Sequence, residues 1–254
     1  MKRKLQSITS KLTSASGILG IVIVWQFCCS MGWIPKFMLP SPADIIKALV
    51  TDFPALMQHS GITLLEAFLG LSLGVTVGVA AAVLMDRFPS VYKAFYPLLI
   101  LTQTIPTVAI APVLVIWMGY GIAPKVTAIV IVTFFPMAIG LLDGFRSADQ
   151  DAVRLLSSMG AKRKQIFRYI KFPGAMGQFF ASLKICASYS IVGAVIAEWL
   201  GGNSGLGVYM TRVRKSYAYD KMFAIIVLIS VISLLLMKGV ELLRRRCMPW
   251  ETRE

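Results

Sequence analysis

The chain has little of what most catalytic chemistry uses. Among 254 residues there is one histidine, His59, and there are four cysteines, Cys28, Cys29, Cys186 and Cys247. Two cysteines are adjacent within an apolar run and the others are far away, so no spacing suits a disulfide framework or a metal site. With one histidine and no Cys-x-x-Cys pair, the sequence offers no recognisable zinc or haem motif. No glycine is followed directly by lysine. The Gly-x-x-x-x-Gly-Lys-Ser/Thr loop is therefore missing, and the chain cannot cradle ATP phosphates in that manner. Charge is also sparse, at 15% of residues.

What replaces these is apolar sequence. Hydrophobic residues make up 57% of the chain, and the mean hydropathy is +0.73. The charges cluster, leaving windows long enough to cross a ~30 Å hydrocarbon core as helices. A soluble domain of this length rarely has this composition. The net charge of +14 fits a membrane protein, whose Lys and Arg stay on the cytoplasmic side beside anionic lipid. Nucleic acid is the lesser explanation.

The pattern predicts an all-α, polytopic membrane protein with about six spans, near 17–34, 61–85, 94–118, 126–142, 174–198 and 223–237. Residues 1–16 and 243–254 read as cytoplasmic tails of a single domain over 17–242. The run after Met1-Lys2-Arg3-Lys4 is long for a signal peptide, so it reads as a retained first span. In "LPSPADII", Leu39–Ile46, Pro40 and Pro42 rule out a helix interior, and Ser41 or Asp44 can cap the next helix. With both termini inside, the inner segments hold eighteen Lys and Arg and the outer ones seven, which supports that orientation.

One stretch interrupts the apolar sequence. "LLSSMGAKRKQIFRYIKFPGA", Leu155–Ala175, carries five positive charges between Lys162 and Lys171. Upstream, Ala152, Val153, Leu155, Leu156 and Met159 fit one helical stripe. Gly160 is a natural end for that helix, because it takes the left-handed conformation without a Cβ penalty. A second helix can start at Lys162, and Pro173 marks the start of the fifth span. Such a helix–turn–helix over 149–173 either lies on anionic lipid or presents a knob to a partner.

The spacing of that stretch resembles the cytoplasmic loop of permease subunits of bacterial ABC importers. Their motif has Glu-Ala-Ala, a Gly, nine residues, then Ile-x-Leu-Pro. Here Gly160 is followed by nine residues and then Ile170, Lys171, Phe172 and Pro173. The Glu-Ala-Ala positions fall at Arg154, Leu155 and Leu156, a departure from the motif. The resemblance extends over Leu39 to Trp250, through "LPSPADII", "TIPTVAIAPVLVIWMGYG", "FFPMAIGLLDGFRS" and "IAEWLGGNSGLGVYM". These segments are similar to the branch importing sulfonates, taurine, nitrate and thiamine-related pyrimidines. "EWLGGNSGLG" and "RRRCMPW" look most like the pyrimidine members.

The resemblance implies a type I importer permease in the bacterial inner membrane. It implies a coupling helix using Arg154, Leu155, Leu156, Met159, Gly160, Ala161, Ile170 and Pro173 against a separate ATPase. ATP and Mg would then be bound by that partner, this chain holding no cofactor of its own. A separate solute-binding protein would deliver the solute, and two permease copies would share one pore.

In the third span, Thr102, Gln103, Thr104 and Thr107 lie among Pro97, Pro106 and Pro112. A proline-broken membrane helix with small polar groups suits a pore lining, though the threonines can also bond their own backbone. Glu66, Lys184 and Glu198 lie within or at the ends of spans, where ionisable groups are costly. The two glutamates read as near the outer water; the resemblance favours a structural or gating role for Glu198, with Gly205 and Gly207 after it. Lys184 can snorkel or face a cavity. Gly70, Gly74 and Gly78 form a small-xxx-small stripe, read as packing within the subunit ahead of a contact between two copies.

Two other functions compete. "GNSG", Gly202–Gly205, matches the Gly-x-Ser-Gly of rhomboid-type intramembrane proteases, but that mechanism needs a histidine base on a later helix, and His59 is upstream. An ATPase-independent secondary transporter would need an energy-coupling device of its own, and no inverted repeat is visible.

Overall fold

The computed structural model describes residues 16–17, 19–35 and 37–249. The tail expected over 1–16 lies outside them except for Ser16, as do residues 250–254 of the other tail, Trp250 among them. The described residues form helices and connecting turns, with no strand. In order these are α1 (Leu19–Ser30), α2 (Pro42–Thr51), α3 (Phe53–Arg87), α4 (Pro89–Thr104), α5 (Thr107–Met118) and α6 (Ile122–Arg146). They continue with α7 (Gln150–Ser158), α8 (Arg163–Ile166), a π-helical turn (Phe167–Lys171), α9 (Phe172–Gly201), α10 (Leu206–Lys215) and α11 (Tyr219–Cys247).

Four helical stretches are long and apolar enough to cross a membrane: α3, α6, α11 and the continuous Arg163–Gly201. The expected third span differs from a simple kinked helix. It is a pair, α4 and α5, bent by 99°. Proline forces the residue before it out of the helical region, and Ile105 and Pro106 are both extended, with ψ of 118° and 125°. Counted as one span, the pair is the fifth. α1 is the shorter apolar helix within the expected first span. The expected loop between the last two spans contains a helix, α10, whose last turn holds Arg212, Arg214 and Lys215, matching the negative end of the helix dipole.

The chain divides into two compact units, Met1–Gln58 with Tyr209–Leu228 and His59–Val208 with Ile229–Glu254. In the larger, α6 and α9 form the most extensive pairing. Its principal core gathers Met85, Leu99, Leu141, Leu142 and Phe145 around Ala82, Ala138 and Ala175. The glycine stripe of α3 lies against α6 in register, Gly70 on Ile129, Gly74 on Thr133 and Gly78 on Met137. The expected packing within the subunit is what the geometry displays. A Cβ at Gly74 would overlap the Thr133 hydroxyl, whereas one at Gly61 would meet open space. Gly74→Val should therefore cost about 1–3 kcal/mol through overpacking. Gly61→Ala should stabilise by about 0.5–1 kcal/mol, since alanine loses less entropy in a helix. Thermal unfolding in detergent separates the two signs.

In the smaller unit, Ile45, Ala48 and Ala224 are packed by Trp25, Leu49 and Phe223. Ser41 caps α2 by accepting from the Asp44 backbone N–H at 3.2 Å, as the sequence suggested. Asp52 accepts from the Tyr209 hydroxyl at 2.6 Å and from Lys221 Nζ at 3.0 Å. Burial works to raise the Asp52 pKa, but these two donors and the Lys221 charge prevail and hold it below its ordinary value. Burial and the Asp52 carboxylate push Tyr209 up to about 12. The signs are opposite. The Asp52 contribution is lost as pH falls below about 4, and the Tyr209 contribution as pH rises past about 10 towards 12, so the clamp holds fully between them.

Candidate functional site

The basic segment is a capped helix–turn–helix. Asp149 starts α7 by accepting from the Asp151 N–H at 2.9 Å. The helix ends in a Schellman turn. Ala161 N–H donates to Leu156 O, and Gly160 N–H to Ser157 O, each at 3.0 Å. Gly160 has φ +81°, the left-handed conformation that the sequence assigned to it. The next helix is capped by Gln165, whose Oε1 accepts from Lys162 N–H at 2.7 Å.

Pro173 does not begin a separate helix. It lies in the first turn of α9, and the ladder runs through it from Arg163 to Gly201. Proline has no N–H to give to the carbonyl four residues earlier. The preceding turn absorbs this by widening, with Phe172 N–H reaching Phe167 O. One wide turn thus makes the second half of the segment continuous with a membrane-length helix.

The eight residues assigned to this element fall along it. Leu155 and Met159 stand out from α7, 62% and 77% exposed, and Arg154 is exposed beside Asp151 at 3.8 Å. Leu156, Ala161 and Ile170 are half-buried, and Pro173 is exposed. The Glu-Ala-Ala positions thus carry one cation and two leucines. On the inner side, Phe167 packs on Phe145 of the core with ring centroids 5.1 Å apart. Lys171 pairs with Asp86 at the end of α3 at 2.6 Å. Arg146 lies over the Tyr92 ring at 3.7 Å. Asp86 was not legible as a partner, because nothing local relates it to a lysine 85 positions away.

The bend between α4 and α5 opens a cavity of about 230 Å³. Thr102, Gln103 and Thr107 line it together with Tyr189 and Val192 of α9 and Val132 of α6, and no charged side chain does. Thr104 and Pro106 are not in its wall. Thr102 and Thr104 also donate to their own helix, to Leu99 O and Leu101 O at 2.7 and 2.8 Å. Lys184 lies elsewhere, half exposed, with Glu241 of α11 at 3.7 Å.

Glu66 and Glu198 are not solvated at the outer ends, as their positions suggested. They are 3% and 1% exposed. Helical spacing puts His59, Thr63 and Glu66 on one face of α3, and these side chains close on the Gly202–Gly207 turn. Gly205 N–H donates to His59 Nδ1 at 3.2 Å, Leu206 N–H to Thr63 Oγ1 at 2.9 Å and Gly207 N–H to Glu198 Oε2 at 2.6 Å. Thr63 donates in turn to Glu198 Oε1 at 2.7 Å. Lys125 of α6 donates to Glu66 at 2.6 Å and to Ser204 O at 3.4 Å. Gly205 has φ +120°, and a Cβ there would overlap the Glu198 carboxylate. The lone histidine thus receives a backbone N–H of the "GNSG" loop, which is a turn pinned by side chains. Lys125 and His59 are members that sequence reasoning missed. The i, i+4 spacing of His59 and Thr63 was the available signal.

The family described as "Binding-protein-dependent transport system inner membrane component" matches residues 74–248. The formylaminopyrimidine transport permease protein ThiX of Halalkalibacterium halodurans is 32% identical over 255 residues, covering 100% of both chains. The taurine transport system permease protein TauC of Escherichia coli is 29% identical over 251 residues, covering 96% of this chain and 91% of that one. Among solved structures, a bacterial ABC transporter involved in import of the acidic polysaccharide alginate is similar in fold. Its TM-score is 0.66 at 16% identity, over 96% of this chain and 99% of that one.

Proposed function

This chain belongs to the binding-protein-dependent transport inner-membrane-component family, the permease subunits of ABC importers, and we propose a specific division of labour and a solute for it. Residues 17–242 act as one permease domain with both termini in the cytoplasm and 149–173 as its coupling segment. A separate ATPase binds ATP and Mg and docks on Leu155 and Met159, with Arg154 at the rim. Two copies of this chain enclose one path, each supplying the Thr102, Gln103 and Thr107 wall, and a separate binding protein delivers the solute.

The observation that supports the coupling role is the exposed apolar face of α7, held by the Gly160 turn against a second helix that runs without a break from Arg163 into α9. Two large apolar side chains standing free beside an arginine are the usual centre of an interface. Nucleotide-driven movement of that face would reach the core through Phe167 on Phe145 and through Lys171 on Asp86.

The proposed solute is a thiamine-precursor pyrimidine. Two observations support it: end-to-end similarity to a formylaminopyrimidine permease, and a path wall with an aromatic ring and neutral hydrogen-bonding groups but no cation. A sulfonate in such a wall would leave its charge unpaired.

The test begins with affinity purification of the tagged chain from gently solubilised membranes. The expected result is a stoichiometric ATPase subunit. Reconstituted with that subunit and its binding protein, the permease should take up labelled formylaminopyrimidine in an ATP-dependent manner, with taurine at background. Taurine uptake instead would overturn the solute assignment. A chain that purifies alone would overturn the coupling assignment.

A further inference from the structure

Behind the coupling helix lies a second feature with no assigned role. The end of α3, the inner side of α7 and the α8 turn enclose a cleft of about 650 Å³. Its rim holds Arg87, Arg163, Lys164 and Lys171, and its floor is apolar, with Val83, Val153, Ile166 and Phe167. Asp86 neutralises Lys171. Among the described residues no carboxylate lies within ion-pair distance of the other three cations.

This cleft is not the proposed ATPase face. Val153 and Ser157, one turn apart, face the cleft, whereas Leu155 and Met159 form the free face. Two positions along a helix are about 200° around its axis, so the two faces are opposed. None of the residues assigned to ATPase docking lines the cleft.

Three cations without a carboxylate partner around one cleft repel each other, Arg87 having only the Phe88 ring at 5.5 Å, and an anion between them removes that repulsion. Two arginine forks and a lysine suit phosphate oxygens. An apolar floor beneath the cations adds a requirement that a free ion does not meet. We propose that this cleft binds a phosphate-bearing amphiphile, an anionic phospholipid of the leaflet on the ATPase side, with its phosphate among Arg87, Arg163 and Lys164 and the start of its acyl chain on Val153 and Phe167. Inorganic phosphate shares the headgroup chemistry but not the floor. The inference rests on the coupling assignment only for which side of α7 the ATPase takes.

The test uses the full-length permease without its ATPase, so the two readings fail separately. The protein is equilibrated in mixed phosphatidylglycerol and phosphatidylcholine nanodiscs, extracted gently, and its retained lipid is quantified by mass spectrometry. Wild type should retain phosphatidylglycerol over phosphatidylcholine. The Arg163→Gln/Lys164→Gln variant should retain about tenfold less, from the loss of two cations facing anionic lipid. Arg246→Gln, an exposed cation on α11, should behave as wild type. Melting in phosphatidylcholine alone, unchanged in the double variant, establishes that it is folded. Excess inorganic phosphate should not displace the lipid. Equal retention by wild type and the double variant overturns the proposal, and so does displacement by phosphate.

Discussion

Replacing Lys125 by methionine is expected to destabilise the permease by about 3–5 kcal/mol, the usual consequence of leaving a buried charge without its partner. Lys125 and Glu66 are 2.6 Å apart, with side chains 6% and 3% exposed, and Glu198, 1% exposed, holds the same glycine turn through Gly207 N–H. Methionine keeps the length of the side chain and removes the charge. Two buried carboxylates then face each other with no cation between them, and Ser204 O loses its donor. The turn carrying Gly205–Gly207 should loosen with it. The melting temperature in detergent should fall by on the order of 10 °C. The double variant Lys125→Met/Glu66→Leu should recover most of the loss, because an apolar pair of similar volume can replace a buried ion pair at little or no cost. A single variant that melts with wild type would mean that water reaches the pair. A double variant as unstable as the single would shift the role from the pair to Lys125 and its bond to Ser204.

These partners explain what could and could not be read in advance. The membrane class, the helical fold and the helix-turn at Gly160 are local properties: hydropathy over a window, and a glycine at the end of an apolar stripe. The glycine stripe on α3 is likewise a pattern within one helix, and it found its opposing row on α6. The Glu66–Lys125 pair joins residues 59 positions apart, and Lys171–Asp86 joins residues 85 apart. No local periodicity carries such information. The error over Glu66 and Glu198 has the same origin. Their places in the chain suggested nearby water, but in its place Gly207 N–H donates to Glu198 and Lys125 donates to Glu66. The π-helical turn before Pro173 was also hidden, since a proline announces a missing donor without saying whether the helix stops or widens. The fold implied by the family resemblance reached further than the local patterns did, because it brought the long-range arrangement with it.

Replacing Gly160 by valine is expected to uncouple transport from ATP hydrolysis while leaving insertion into the membrane intact. Gly160 has φ +81° and no atom within 4 Å of where a Cβ would stand. The penalty therefore comes from the backbone alone, about 1–2 kcal/mol for an L-residue in the left-handed region and more for a β-branched one. On the whole fold that is a modest loss. On the turn itself it is decisive, because 1–2 kcal/mol changes the ratio of two conformations by a factor of about 5–30. The two Schellman bonds, Ala161 to Leu156 and Gly160 to Ser157, fix the direction of α7 relative to the helix that continues into α9. Once they are lost, Leu155 and Met159 no longer present one face to the proposed ATPase partner. The assay is vesicle uptake alongside ATPase activity, with the partner ATPase and loaded binding protein present. Uptake should fall about tenfold, and the ATPase should lose its response to the binding protein. Gly160→Asn is the control, since asparagine enters the left-handed region most readily after glycine, and it should retain most of the coupling. Normal uptake by the valine variant would remove the Gly160 turn from the coupling path. Equal loss in the asparagine variant would move the cause from backbone conformation to the presence of any side chain on that surface.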